Sequence, residues 1–398
     1  MSDSAKLSDK AAALVLSPEA PYPMHGGGAL RTASLIHYLA RDYEVDLVVF
    51  REPSAPDPLA SLPPGLIRDA HVIHLPHHAK SAAARVWRNG ARLLRGVPPL
   101  VDRFSGCEKQ LAAATRGRHY SISIAEHFWC APYADQLARL SDQTVLNLHN
   151  IESVLHAGCA DTEPWIAATA HRHFQSVCLK LEQKWFPRFS KLLATSEDDA
   201  RRVRDIFPQA NVAVYRNALP WVPAPVRAEE NVVAFSGNLE YHPNQTAVRF
   251  FAERIWPRVR ERWPDLIWRL IGKNPHAVAQ YTAGDPRIQV TGPVDDAIDE
   301  LAAAKVVVSP LLTGSGTRLK ILEAWAAARP VVSTRIGAEG LPARHDENML
   351  LADNPEDFVQ SISHLLDNSA IRQRLGGNGR SEFERSFTWQ AAWRDLRL

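Results

Sequence analysis

The densest run of residues able to do chemistry is Pro310-Leu311-Leu312-Thr313-Gly314-Ser315-Gly316-Thr317-Arg318-Leu319-Lys320-Ile321-Leu322-Glu323-Ala324. An apolar strand ends at Pro310, glycines turn the backbone tightly, and a helix begins near Arg318, so the N–H groups at that helix end form an anion site. Helical spacing places Gly316, Lys320 and Glu323 on one face. A cation beside phosphates, with a carboxylate one turn deeper to hold a pair of sugar hydroxyls, suits a nucleoside diphosphate. Spacing alone also fits an ordinary glycine-rich connection followed by a solvated Lys–Glu pair.

Such a loop has to be carried by a sheet. Short apolar runs at Ala12–Ser17, Val45–Phe50, His71–Leu75, Ser121–Ala125, Val145–Leu148, Leu192–Thr195 and Val212–Tyr215 predict buried strands. Helical segments over Ala29–Arg41, Ala82–Leu94 and His171–Trp185 separate several of them, the rhythm of a parallel sheet covered on both faces. The segment Leu219–Glu230, with Pro220, Pro223 and Pro225, predicts a linker. Beyond it the rhythm restarts. Strands are expected at Val232–Ser236, Ile267–Ile271, Ile288–Thr291, Lys305–Ser309 and Pro330–Thr334, with helices over Pro243–Arg262, Asp295–Ala303 and Arg318–Ala328. Pro257 should kink or break the last turns of the first of these helices. The expected domains are 1–218, with a C-terminal helix of about 383–398 packing back on it, and 219–382, comprising linker and second domain.

Composition fits this α/β reading. The 398 residues are 45% hydrophobic and 23% charged, with a formal net charge of +2, so no overall field recruits nucleic acid. Cys107, Cys130, Cys159 and Cys178 are too far apart for a Cys-x-x-Cys metal hook and predict reduced thiols in a cytoplasmic protein. No apolar run reaches the length of a membrane span or signal-peptide core.

The run from Gly314 to Thr334, closing with Gly337-Ala338-Glu339-Gly340-Leu341, resembles the donor-site signature of retaining glycosyltransferases of family 4, the glycosyl transferases group 1 type of bacterial polysaccharide biosynthesis. Three further pieces match in order: Phe235-Ser236-Gly237-Asn238 with Tyr241-His242-Pro243-Asn244, Ile271-Gly272-Lys273-Asn274-Pro275, and Val290-Thr291-Gly292-Pro293-Val294. The first domain is similar more loosely, through Ser17–Pro23 leading into Gly26-Gly27-Gly28 and Arg31, through Glu126-His127, and through His149-Asn150-Ile151-Glu152. The resemblance implies the GT-B fold, two Rossmann-like α/β domains facing each other across a cleft. It implies an N-terminal acceptor domain and a C-terminal domain that binds the nucleotide-sugar donor.

Carried over residue by residue, the resemblance implies donor contacts at Gly27, Gly28, Gly237, Asn238, Gly272, Lys273, Val294, Gly314, Ser315, Gly316, Thr317 and Glu323. Arg31, Glu126, His149 and Asn150 would face the acceptor or transferred sugar. His127, Arg318 and Lys320 would act in catalysis, His127 near the sugar and the two cations on the departing diphosphate. A capping or loop-bracing role remains open for each histidine. Many members place a sugar-contacting glutamate where this chain has Ser315, and an Arg and a Lys where it has Asn238 and Tyr241-His242. The diphosphate charge is therefore assigned to Arg318 and Lys320, aided by the helix dipole.

Other signals are weaker. Gly26-Gly27-Gly28-Ala29-Leu30-Arg31 nearly spells a dinucleotide fingerprint, but Arg31 takes the third glycine's place and Asp46 starts the next strand instead of ending it. His71, His74, His77 and His78 read better as strand and loop residues than as a metal site. Between Lys80 and Arg103 lie six basic residues and one acid, Asp102, with Ala83, Val86, Trp87, Ala91 and Leu94 spaced as an amphipathic helix. Lys80, Arg85, Arg88, Arg92 and Arg95 would then face an anionic membrane or an anionic acceptor, or the helix is a solvated face packing on the sheet.

The expected protein is a metal-independent hexosyltransferase, cytoplasmic or peripheral at the inner face of the membrane. It would move a sugar, with retention, from a UDP- or GDP-type donor, a co-substrate and not a cofactor, to a glycan or lipid-linked saccharide. The alternatives are a nucleotide-sugar-binding protein without turnover and a GT-B nucleotide-sugar epimerase.

Overall fold

The computed structural model describes residues 10–24, 26–77, 81–161, 165–313 and 318–398, and the backbone alone of Ala82, Arg85, Val86 and Ile166. The chain divides into two compact units. One comprises Met1–Ala157, Thr169–Tyr215 and Leu396–Leu398; the other comprises Gly158–Ala168 and Arg216–Asp395.

In the first unit the described strands are β1 (Ala11–Ser17), β2 (Tyr43–Arg51), β3 (Asp69–His74), β4 (Tyr120–Glu126), β5 (Ser141–Asn147), β6 (Lys191–Ala194) and β7 (Val212–Val214). They form a parallel sheet in the order β3-β2-β1-β4-β5-β6-β7. The central strands are largely apolar because helices cover both faces: Ala13 to Leu16 and Ile122 to Ala125 are buried, with Ser123 the one polar residue among them. Strand order reverses between β1 and β4. At such a switch point the connections leave in opposite directions and open a crevice beyond the strand ends. Helix α1 (Gly27–Leu39) follows β1 there.

The second unit repeats the design with β8 (Glu230–Ser236), β9 (Ile267–Ile271), β10 (Ile288–Gly292), β11 (Ala304–Ser309), β12 (Val331–Ser333) and β13 (Leu350–Leu351). Their order is β10-β9-β8-β11-β12-β13, so the switch lies between β8 and β11. The strand β13 is two residues long, inside the short apolar run Met349–Ala352, and the sequence analysis names no strand there. Both units are Rossmann-like parallel-sheet layers, as expected.

Two helical expectations change in detail. The helix from Pro243 is interrupted just before Pro257. It passes from an α-helix, His242–Phe250, through a π turn, Phe251–Ile255, into a further α-helix, Trp256–Arg262. Widening the turn just before Pro257 absorbs the backbone donor that proline lacks. The helix expected over about 383–398 is divided: one helix ends at Ser386, Trp389–Trp393 forms another, and Leu396–Leu398 alone clusters with the first unit. The break is held by Leu219, which donates to Phe387 O and accepts from Trp389 N, each at 3.0 Å. The linker is thus tied to the chain end.

Candidate functional site

The first unit gathers its polar side chains at the switch between β1 and β4. Glu126 ends β4, and His127 follows with φ 61°, a left-handed backbone rare for a residue with a β-carbon. Its N–H donates to Asn147 O at 3.0 Å and its carbonyl accepts from Cys130 N at 3.1 Å, which hold that conformation. The imidazole is sandwiched. Its ring centroid lies 3.4 Å from that of His149 and 4.2 Å from that of Trp129, with planes within 23° and 11° of parallel. Phe104 extends the column on the far side of Trp129. His127 Nε2 has no hydrogen-bond partner among the described residues, and Glu19 Oε1 is 3.6 Å away.

Beneath this column lies a buried polar chain. His149 Nε2 is 2.7 Å from Glu126 Oε2, and Asn147 Nδ2 donates to both Glu126 oxygens. Arg31 donates from Nε and Nη2 to Asn147 Oδ1, and from Nη1 to Tyr215 O. Burial pushes the His149 pKa well below the usual imidazole value, with His127 adding to it, and pushes Glu126 up. The His149–Glu126 contact is therefore a hydrogen bond of a neutral imidazole and not an ion pair. Burial lowers Arg31 to about 10, still cationic at neutral pH. Asn150 lies half-buried in the loop after β5.

Gly27 opens α1. At Gly28 an ideal β-carbon would stand 1.7 Å from Glu19 Oε1 and 3.1 Å from His127 Nε2. The glycine turn, Glu19 and His127 therefore converge on one spot. Glu19 lies in the Ser17–Pro23 stretch but has no role assigned from sequence, because the flanking Ser17, Pro18, Ala20 and Pro21 give no sign of a partner.

The second unit makes a comparable cluster at its own switch point. Gly237-Asn238 follows β8 and Gly272-Lys273 follows β9, and the two loops touch through glycine: an ideal β-carbon on Gly272 would lie 1.9 Å from Gly237 O. Leu239 N donates to Lys273 O at 3.0 Å, and Asn274 Nδ2 to Asn238 Oδ1 at 2.9 Å. The Lys273 side chain is exposed and Val294 half-buried in the loop after β10.

Lys320, in the first turn of the helix Leu319–Ala326, points at this corner. Its Nζ donates to Asn244 Oδ1 at 2.8 Å and stands 5.0 Å from the ring centre of Phe235. Asn244 in turn donates to Asn238 O at 2.7 Å, so one amide braces both the lysine and the loop. Desolvation lowers the Lys320 pKa to about 8, with Arg318 adding to the fall and Glu323 opposing it. One turn on, Glu323 accepts from Ser236 Oγ at 2.9 Å, and burial raises its pKa. Lys320 and Glu323 both retain some exposed surface, whereas Arg318 is buried. Gly314, Ser315, Gly316 and Thr317 lie outside the described residues. Just before them, Leu311 O accepts from Thr334 Oγ1, which itself accepts from Gly337 N.

The structure thus brings Gly237, Asn238, Gly272, Lys320 and Glu323 together in one unit and Gly28, Arg31, Glu126, His127 and His149 in the other. It adds Asn244 and Ser236 to the first set and Glu19, Trp129 and Asn147 to the second. Asn244 and Ser236 stand inside the motifs quoted above; only their contacts reveal a role. Chemically, the second unit offers a cation, a hydrogen-bonded carboxyl and close-approach glycines, the groups that grip a phosphorylated sugar.

Comparison with known proteins finds similar chains. Residues 230–368 match the family described as Glycosyl transferases group 1. The chain is 21% identical over 385 residues to an uncharacterized 44.6 kDa protein in the cps region of Klebsiella pneumoniae, covering 94% of this chain and 96% of that one. It is 32% identical over 122 residues to the lipopolysaccharide core biosynthesis glycosyltransferase LpsE of Rhizobium meliloti, covering 30% of this chain and 35% of that one. Among solved structures it resembles sucrose-phosphate synthase from Thermosynechococcus elongatus, with a TM-score of 0.72 at 19% identity and 96% of each chain covered. It also resembles Anabaena HepE in complex with UDP and glucose, with a TM-score of 0.65 at 14% identity, covering 95% of this chain and 96% of that one. The fold is that of GT-B glycosyltransferases.

Proposed function

We propose that the protein is a glycosyltransferase that draws a sugar from a nucleoside diphosphate sugar held by the second unit. The observation that carries this reading is the corner formed by Gly237, Asn244, Lys320 and Glu323, inside the segment that matches the group 1 family. Lys320 and Arg318 neutralise the diphosphate as it departs, a preorganised electrostatic role. Glu323 accepts hydrogen bonds from the ribose hydroxyls, and Gly237 and Gly272 let the backbone approach the nucleotide. In the first unit His127 contacts the transferred sugar, its ring fixed between Trp129 and His149. Two cations at the diphosphate support a reaction without a divalent ion.

The acceptor proposed is a glycan or lipid-linked saccharide. Likeness to a protein of a cps region and to a lipopolysaccharide core glycosyltransferase supports that class. The resemblance to family 4 supports retention of anomeric configuration.

Incubating the purified protein with UDP-, GDP- and dTDP-sugars, with and without saccharide acceptors, tests the reading. Transfer or slow donor hydrolysis, with EDTA leaving the rate unchanged, is the expected result. Saturable binding with no product would point to a binding protein, and an isomerised nucleotide sugar to an epimerase. Loss of transfer on chelation, restored by one divalent ion, would overturn metal independence alone.

A further inference from the structure

An aromatic ring beside His127 suggests a stacking platform for a sugar, but both faces of Trp129 are occupied. The His127 centroid lies 4.2 Å from that of Trp129 with planes 11° apart, and Phe104 stacks on the far side at 5.8 Å and 8°. The imidazole is covered likewise, by Trp129 on one face and by His149 at 3.4 Å on the other. A carbohydrate therefore meets His127 at the ring edge, where Nε2 lies 3.6 Å from the exposed Glu19 carboxylate. The direction of that edge is set by the ring stacked on it. Trp129 Nε1 donates to Glu152 Oε1 at 3.1 Å, and Glu152 is 8% exposed in the first turn of the helix Glu152–Ala160. That turn is itself anchored: the next residue, Ser153, donates from its N–H and its hydroxyl to Glu182 in the helix Trp165–Trp185. One short segment, His149 to Glu152, thus supplies both the ring on one face of His127 and the acceptor that fixes the ring on the other.

We propose that Glu152 is a positioning residue that fixes the sugar-facing edge of His127 through the indole N–H of Trp129. This rests on the proposed contact between His127 and the transferred sugar, and adds to it the pair that holds the ring in place. Glu152 does not touch the sugar itself, because it is buried and its oxygen is turned to the indole. Its part follows from the cost of an unmade bond. A half-buried indole N–H without an acceptor turns toward water, since leaving a polar group unpaired away from solvent is unfavourable. The imidazole would then lose one of its two walls, and a small misplacement of a substrate-contacting group is enough to slow a reaction.

The test pairs ring spectroscopy with turnover in E152Q, E152L, W129F and W129F/E152L. E152Q keeps a carbonyl acceptor for the indole, whereas E152L and W129F each remove one end of the bond. The Trp129 indole N–H resonance, identified by its loss in W129F, should stay in place in E152Q and in E152L should move and exchange faster with water. The His127 ring resonances, identified by their loss in H127Q, should move in both E152L and W129F as the stacked ring shifts. With the nucleotide sugar that the wild type turns over, kcat should fall about tenfold in E152L and W129F. Calorimetric affinity for the matching nucleoside diphosphate should not change, and E152Q should recover most of the rate. W129F/E152L should lose no more than either single variant, because both remove the same bond. Unmoved His127 resonances in E152L, moved resonances with an unchanged kcat, or additive losses in the double variant would each overturn the proposal. If E152L does not fold, W129F against E152Q carries the same comparison. A wild type that turns over no nucleotide sugar would overturn the proposed function, and the ring resonances would still decide whether Glu152 fixes His127.

Discussion

The carbonyl oxygen of Gly237 stands 1.9 Å from where a β-carbon on Gly272 would be, so the loops after β8 and β9 are in contact only because Gly272 has no side chain. Gly272 also has φ 148°, a backbone that side chains rarely adopt. Neither loop can move away, since Gly237 N donates to Ile271 O at 2.9 Å. Gly272→Ala should therefore destabilise the protein by about 2–4 kcal/mol and lower the melting temperature by several degrees. A melting temperature equal to wild type would show that the two loops are not in contact.

Nucleotide affinity should depend on the charge of Lys320. Its pKa is lowered to about 8 from the ordinary 10.5, so the free protein loses this cation as pH rises through about 8. Calorimetric affinity for UDP is expected to fall over that window, and Lys320→Met should bind more weakly with the pH dependence flattened. On folding the sign is opposite. The lowered pKa is a cost to stability at low pH that is relieved as pH climbs from about 8 toward 10.5. A wild-type affinity flat across the window would remove Lys320 from the diphosphate.

Glu323 is held by Ser236 in the same corner. Replacing it by alanine should weaken binding of the cognate nucleotide by about 1–3 kcal/mol, the value of hydrogen bonds to a charged group. Glu323→Gln should recover part of that loss by keeping one acceptor. Unchanged affinity in both variants would place this acid away from the ribose.

Glu152 and Glu182 form a buried acidic pair beside the histidine column. Trp129 Nε1 donates to Glu152 Oε1 at 3.1 Å, and Ser153 donates to Glu182 from both its N–H and its hydroxyl. Burial raises each pKa to about 7. Because the unfolded chain releases these protons near 4.5, the native state holds more protons between about 4.5 and about 7, and stability falls as pH rises through that range. Glu182→Gln should flatten this part of the melting curve against pH and raise the melting temperature at pH values above it. A variant with the wild-type slope would show that the pair is not the source.

Much of this architecture is local in origin and was legible in the chain. Buried parallel strands are short apolar runs between turn residues, so Ile267–Ile271 appears at its own boundaries and the neighbouring strands within a few residues. The glycine turns and the Lys320–Glu323 spacing needed only helical geometry and the tightness of strand-to-helix connections. Contacts between distant segments were not legible. Asn244 meets Lys320 across 76 positions and Arg31 meets Asn147 across 116, and no periodicity encodes such pairs. Nor could composition say which side of the helix Ala82–Arg95 faces the protein. Lys80 and the Arg85 side chain lie outside the described residues, but Arg92 is buried, against the expectation that the arginines face outward. An amphipathic pattern fixes two faces but not their direction; that was decided by Asp102, a single carboxylate of the helix Pro99–Phe104 that draws Arg92 inward and leaves Trp87 and Leu94 in water.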